Sequence, residues 1–207
     1  MTVTLLIVGM AAAAVFVAVL LIEGALRPGY DPIYHPSSAL SLGDRGWIQV
    51  ANFLQLGVGT FAIAFGIHHA LNSDVAAALM AIAGLGAIAA GVWRMDPMRG
   101  YPPGAQSGTP TTLTWNHQIH DIAGPTTFLA IFGACLALAG QLQGIWRLYT
   151  ILTAVAGLAL TIATLIAWRK DARNTGLIQR ALILVFQMLR HLWLKHRLLR
   201  KHQLKSL

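Results

Sequence analysis

Apolar runs close to bilayer-spanning length constrain this chain more than any other feature. Polar segments separate them, and the first five runs are residues 3–22, 47–68, 75–93, 117–139 and 146–168. A transmembrane helix needs about 20 consecutive apolar residues. Of the 207 residues, 56% are hydrophobic and only 11% are charged, which leaves too little polar surface for a soluble globule of this length. The sequence therefore predicts an all-α polytopic membrane helix bundle.

A sixth apolar run, residues 176–194, is less regular than the others. It contains Arg180, Gln187 and Arg190, and an arginine at mid-membrane costs roughly 3 kcal/mol on insertion scales. We predict that this run forms a sixth transmembrane helix, with Arg180 near one end, where its side chain can reach the interface or a partner. The alternative is five spans followed by an interfacial amphipathic helix whose basic face lies on anionic headgroups.

The domain organisation that follows is one transmembrane helical domain, residues 1–194, and a basic C-terminal tail, residues 195–207. The net charge of +8 comes mostly from this tail and from loop ends beside the spans, so we expect membrane lipids as partners and no nucleic acid. The positive-inside rule places the tail in the cytoplasm. A five-span topology would gather nearly all basic residues on one side, which favours that alternative.

Three polar stretches interrupt the apolar pattern. They read EGALRPGYDPIYHPSSALSLGDRGW (23–47), MDPMRGYPPG (95–104) and NHQIHD (116–121). In an alternating topology the connections after the first, third and fifth spans lie on one membrane face. Prolines restrict these segments, so we expect ordered caps that could cover a pocket.

The NHQIHD stretch offers two chemical interpretations. His117 and His120 are three residues apart and His117 and Asp121 are four apart, so they share one helix face. Together with His35 they could bind zinc or iron. Alternatively, these residues cap the helix, with Asn116 as the N-cap.

Glu23 marks the end of the first span, where hydrocarbon gives way to headgroups. A turn through Pro28 and Gly29 allows the loop to fold back, and a buried Glu23 would need a partner, for which Arg180 is the candidate. The aromatic side chains of the loops and span ends form either part of this cap or a belt at headgroup level.

The order of these motifs resembles an uncharacterised multi-pass prokaryotic membrane family, domain of unknown function 998 (DUF998). The resemblance rests on the first loop, ANFLQLG after it, DP with GYP, the fourth-span histidine and GLIQR near the end. It implies a compact bundle of six or seven spans and no assigned activity. The motif positions that it implies are Glu23, Pro28, Gly29, Tyr30, His35, Ser38, Trp47, Asn52, Asp96, Pro97, Tyr101, Pro102, His120, Gln179 and Arg180.

Two functional classes follow from the polar cap. In the first, the cap binds a lipid, a small molecule or a partner subunit, as in an accessory subunit of a larger membrane complex; its candidate residues are Glu23, Tyr30, Asp31, Trp47, Tyr101 and Arg180. In the second, the protein is a membrane-embedded hydrolase in which Ser38 or a metal-activated water attacks, His35 or His120 moves protons, and Asp96 or Asp121 orients them. Neither a GxSxG nor an HExxH motif supports the second class.

Overall fold

The computed structural model describes residues 2–187, and this part of the chain is built from helices. A 3₁₀ helix, Ser37–Ser41, interrupts the first long connection. The α-helices in chain order are α1 (Thr2–Leu26), α2 (Gly46–Leu71), α3 (Asp74–Val92), α4 (Trp115–Ala139), α5 (Gly144–Arg169) and α6, described for Thr175–Gln187.

The first five helices are each long and apolar enough to cross a membrane. They coincide with the five predicted spans, so that prediction is confirmed. The clearest shift in a boundary is at α1, which continues through Glu23 to Leu26. Glu23 therefore lies within the helix, where it faces Arg27 one turn later.

Local sequence explains where α2 ends and where α4 begins. Asn72 ends α2 in the left-handed conformation with φ of 55°, which asparagine tolerates better than most residues. At the start of α4 the N-cap is Thr114, whose hydroxyl accepts the His117 amide hydrogen bond at 3.3 Å. The prediction of Asn116 as N-cap is wrong, because the helix begins one residue before it.

Consecutive helices pack against each other along the chain from α1 to α5. Small residues permit the close approach that membrane helices need when no hydrophobic effect drives them together. At the α1–α2 contact, a Cβ added to Gly59 would collide with Ala12. Glycine at this position therefore lets the two backbones pack directly.

Helix α6 packs one face against the bundle, and Leu177 and Leu184 on its other side are exposed. Leu182, Ile183 and Phe186 are all buried. The Phe186 ring stacks on Phe128 of α4, with centroids 6.3 Å apart, and fills the space above Gly157 in the middle of α5. The described part of α6 thus runs from the loop face into the bundle. Residues 188–194 of the predicted sixth span, and the tail 195–207, lie outside the described residues.

Candidate functional site

The loops after α1, α3 and α5 meet on one face of the bundle, as the alternating topology predicts. We call residues 27–45, 93–114 and 170–174 the cap. His35 Nε2 lies 3.0 Å from the Arg99 carbonyl oxygen, and the Tyr34 hydroxyl donates to Asp171 at 2.7 Å. These contacts join the first connection to the second and to the α5–α6 turn, so the cap is a single ordered unit.

Glu23 is buried beneath this cap and is paired with two arginines. Arg27 donates to Glu23 Oε2 from Nη2 at 2.6 Å, and Arg45 donates to Oε1. Arg27 also donates to the Leu42 carbonyl at 3.0 Å and to the Tyr101 hydroxyl at 3.2 Å. The carboxylate therefore anchors both ends of the first loop. The prediction that Glu23 pairs with Arg180 is wrong, because the loop supplies closer cations.

Arg180 instead binds backbone carbonyls of the first loop and of its own helix. Its Nη1 donates to the oxygens of Pro32 at 2.5 Å, His35 at 3.2 Å and Gly176 at 3.0 Å, and its Nη2 donates to the Tyr30 hydroxyl at 2.5 Å. Burial raises the pKa of Tyr30, an effect that the Arg180 cation opposes. The phenol therefore stays protonated at neutral pH and can donate to the Pro36 carbonyl at 3.0 Å.

Arg99 fastens the second cap connection to the end of α5. It occupies a tight turn, Met98–Tyr101, in which Arg99 and Gly100 both have positive φ, the pattern of a type I′ turn. Its guanidinium lies 3.8 Å from the Trp168 ring centroid and donates to the Trp168 carbonyl at 2.6 Å. Nε lies 2.9 Å from Asp171 Oδ1 without hydrogen-bond geometry, so charge holds that pair.

Two of the predicted histidines are committed to structural contacts. His35 accepts the Asp31 amide hydrogen bond at Nδ1, 2.9 Å, so Nε2 carries the proton that faces Arg99. His117 accepts the Asp96 amide hydrogen bond at Nδ1, also at 2.9 Å, and its Nε2 lies 3.2 Å from Asp121 Oδ2 without hydrogen-bond geometry. Within residues 2–187 no three His, Cys, Asp or Glu side chains form a group that could hold a metal. The structure does not bring His35, His117 and His120 together as ligands.

His120 differs from the other two in which ring nitrogen carries the proton. Its Nδ1 lies 2.9 Å from the Trp93 carbonyl and 3.2 Å from the Ala90 carbonyl, so this nitrogen carries the proton. Nε2 has no hydrogen-bond partner among the described residues. In the neutral ring it therefore presents a lone pair.

His120 lines a cavity of about 380 Å³ between α4, α5, α6 and the first cap loop. The apolar part of the wall includes Met95, Phe128, Leu165 and Leu182. A second chamber of about 80 Å³ shares its lining at Ser38, His120, Gly124, Phe128 and Gln179, and reaches Phe16, Phe53 and Gln187. Small-molecule sites typically occupy about 300–1,000 Å³ and combine apolar walls with a few polar groups. The larger chamber fits that description.

The other predicted residues divide between the cavity and the cap. Ser38 lines both chambers, and Asp121 lines the larger one. Asp96 binds Thr114 through both oxygens, at 2.7 and 2.6 Å, and Asp31 accepts the Ile33 amide at 2.8 Å. Trp47 is 68% exposed, as expected of a residue in an aromatic belt.

Several residues of this site escaped the sequence reasoning. Arg27 stands four residues after Glu23, a helical spacing that could have identified the pair. Nothing in the sequence indicates that Arg99 would stack on Trp168, because 68 intervening residues separate them and only tertiary packing brings them together. Thr164 and Thr175, which also line the cavity, carried no signal either.

The helix lengths, their apolar surfaces and the cap that joins their ends define a multi-pass helical membrane protein. The profile of a family described as "Protein of unknown function (DUF998)" matches residues 10–194. The chain belongs to that family, which confirms the resemblance. Comparisons with curated proteins and with solved structures gave no significant match.

Proposed function

We propose that this protein binds a lipid or similar amphipathic molecule in the cavity beneath its cap. The observation that carries the proposal is the cavity itself, with apolar walls and polar groups at Ser38, His120 and Gln179. On α5 its lining extends from Arg169, the last residue of the helix, to Thr161. Eight residues of helix correspond to roughly 12 Å. A molecule with a polar head near the cap and an apolar chain alongside Phe128 matches this distribution.

Filling the cavity tests the binding proposal. A Cβ at Gly124 would meet nothing within 4 Å, so Gly124→Leu places bulk in the chamber from α4, and Leu165→Trp does so from α5. We expect both variants to fold and to lose the lipid that co-purifies with the wild type in mild detergent, as measured by lipid mass spectrometry. Leu129→Trp, on an exposed position of α4, is the matched control and should retain it. A co-purifying protein subunit without lipid would contradict the proposal.

A second candidate function is ester hydrolysis, favoured by the presence of Ser38 and His120 in the lining of the same chambers. The Ser38 hydroxyl would attack the ester carbonyl while His120 Nε2 takes its proton and passes it to the departing alcohol. Water would then cleave the acyl-serine and release the acid. The carbonyls of Ala90 and Trp93, rather than Asp96 or Asp121, would orient the imidazole.

A serine-directed fluorophosphonate separates these two functions. Hydrolysis requires covalent labelling of the wild type, its loss in Ser38→Ala, and a large reduction in His120→Gln. Ser41→Ala is the matched control, because the Ser41 hydroxyl is bound to the Ser38 carbonyl at 2.7 Å. Labelling that persists in Ser38→Ala would rule out this role for Ser38.

For the orientation, we propose six spans in a prokaryotic inner membrane, with the basic tail in the cytoplasm and the cap on the opposite face. The entry of α6 into the bundle supports six spans, and the charge of the tail supports its cytoplasmic location. Reporter fusions after Arg173 and at the C-terminus should report opposite compartments. The same compartment at both points would establish the five-span alternative.

A further inference from the structure

The polar groups around the cavity are mostly hydrogen-bond acceptors, and this restricts the headgroup that the cavity can hold. Three threonines line the larger chamber, and each has already donated its hydroxyl proton. Thr161 donates to Gly157 at 2.8 Å, Thr164 to Leu160 at 2.8 Å and Thr175 to Ala172 at 2.6 Å. What these hydroxyls still offer is oxygen lone pairs.

His120 and Asp121 add further acceptors. The His120 Nδ1 proton is used by backbone carbonyls, which leaves the Nε2 lone pair. Asp121 contributes its carboxylate, and Pro125, which has no amide hydrogen, leaves the Asp121 carbonyl without its α-helical donor. Both Asp121 and Pro125 line the larger chamber.

The smaller chamber contains an acceptor that is both buried and unsatisfied. Gln187 is 9% exposed, and its Oε1 has no hydrogen-bond partner in the part of the chain that the structure describes. A buried acceptor without a donor is unfavourable, because it has lost its hydrogen bonds to water. A donor from a bound molecule would restore a hydrogen bond.

Donors in the lining are fewer. Gln179 accepts the Ser37 amide at Oε1, 2.7 Å, which leaves its NH₂ group for a ligand. The Ser38 hydroxyl can donate or accept, Trp168 also lines the chamber and carries an indole N–H, and Arg169 lies at the exposed end. A group that both donates and accepts therefore matches the lining. A carboxylate or phosphate would find a cation only in Arg169, at the exposed end, and would otherwise meet the Asp121 carboxylate and the threonine oxygens.

We propose that the cavity selects an uncharged amphipathic molecule with a hydroxyl-bearing headgroup. A hydroxyl donates to His120 Nε2 or to a threonine oxygen and accepts from Gln179. An ammonium head also donates and would meet the Asp121 carboxylate, but it accepts nothing from Gln179 and loses hydration in an apolar-walled chamber. This inference rests on the proposed binding function and specifies its ligand class.

The test compares three amphipaths with the same unsaturated chain: monoolein, oleic acid and oleylamine. Each is added at equal concentration to the purified protein at neutral pH, and its retention is measured by native mass spectrometry. We expect monoolein to be retained in preference to the other two. Retention of oleic acid or oleylamine at an equal or higher level would overturn the headgroup assignment.

A pair of isosteric substitutions tests the acceptors directly. Thr161→Val with Thr164→Val keeps the shape of the wall and removes two oxygens, so monoolein binding should fall by about tenfold. Thr150→Val with Thr153→Val is the control, because these threonines bond to their own helix in the same way but do not line either chamber. Equal binding by the two double variants would overturn the proposal.

The outcomes also separate this inference from the proposed function. If all three amphipaths are retained and all are lost in Gly124→Leu, the cavity binds lipid without selecting the headgroup, and only the inference fails. If none is retained by the wild type, both fail.

Discussion

At the scale of single residues, each buried charged side chain beside the cap has its partners in direct contact. Glu23 and Arg27 are buried at 4% and 8% exposure and satisfy each other one helical turn apart, while Arg180 uses carbonyl oxygens and a tyrosine instead of a carboxylate. Buried charges need such partners because removal from water costs several kcal/mol per ion. The cap therefore depends on individual side chains more than a surface loop does.

Glu23→Gln should be strongly destabilising. It leaves the buried Arg27 cation without its carboxylate, and breaking a buried pair in this way costs about 3 kcal/mol. Thermal unfolding in detergent measures the loss. Asp44→Asn, an exposed acid on the same loop, is the control and should have little effect. The double variant Glu23→Gln with Arg27→Met should lose less than the sum of the two single losses; additive losses would contradict the pairing.

At the scale of elements, the packing of α6 depends on Gly157 of the neighbouring helix α5. The Phe186 ring occupies the space beside Gly157 and stacks on Phe128, which leaves no room for a side chain on α5 at that point. Ala is normally the better helix former by up to about 1 kcal/mol. Here packing reverses that preference.

Gly157→Ala should therefore destabilise the protein by about 1–3 kcal/mol, the usual cost of overpacking. Chemical denaturation in detergent or limited proteolysis of the α5–α6 turn measures the change. Phe186→Leu added to Gly157→Ala should restore part of the loss because it removes the colliding ring. Gly133→Ala, whose Cβ would lie 3.2 Å from the flexible end of Leu79, is the control. A Gly157→Ala variant as stable as this control would disprove the contact.

At the scale of the whole molecule, the fold separates a polar face from an apolar body. The cap gathers the three connections that follow α1, α3 and α5, and the turns after α2 and α4 lie at the other end of the helices. Helices α1 to α5 are each of spanning length. The two ends must therefore face different compartments.

Cysteine labelling checks this arrangement. Cys135 is the protein's single cysteine and is buried, so Cys135→Ala provides a template without thiols. Cysteines introduced at the exposed cap positions Asp44, Gln106 and Arg173 should react with an impermeant maleimide from one side of sealed vesicles. A cysteine at Gln141, in the α4–α5 turn, should react from the other. Reaction of Gln141 from the cap side would contradict the topology.

The length and apolarity of the runs determined the helical membrane bundle by themselves. A run of about 20 apolar residues has few stable alternatives in a bilayer, because only internal hydrogen bonds can satisfy its backbone. Alternation of the spans then predicted that residues 23–47, 95–104 and 116–121 would share a face. The length and apolarity of each run are local properties, and the alternation of the spans is a topological one, so all of them can be read directly from the sequence.

Most partners across that face were decided by tertiary structure. We predicted that Glu23 would pair with Arg180, yet it binds Arg27, one helical turn away, and Arg45, which the fold of the first loop brings close. The three predicted histidines also differ from one another. Backbone carbonyls contact Nδ1 of His120, whereas backbone amides donate to Nδ1 of His35 and His117. The Glu23–Arg27 and Asp31–His35 bonds span only four residues, whereas the bonds of Arg45, His117 and His120 join residues more than 20 positions apart, and no local pattern in the sequence encodes those.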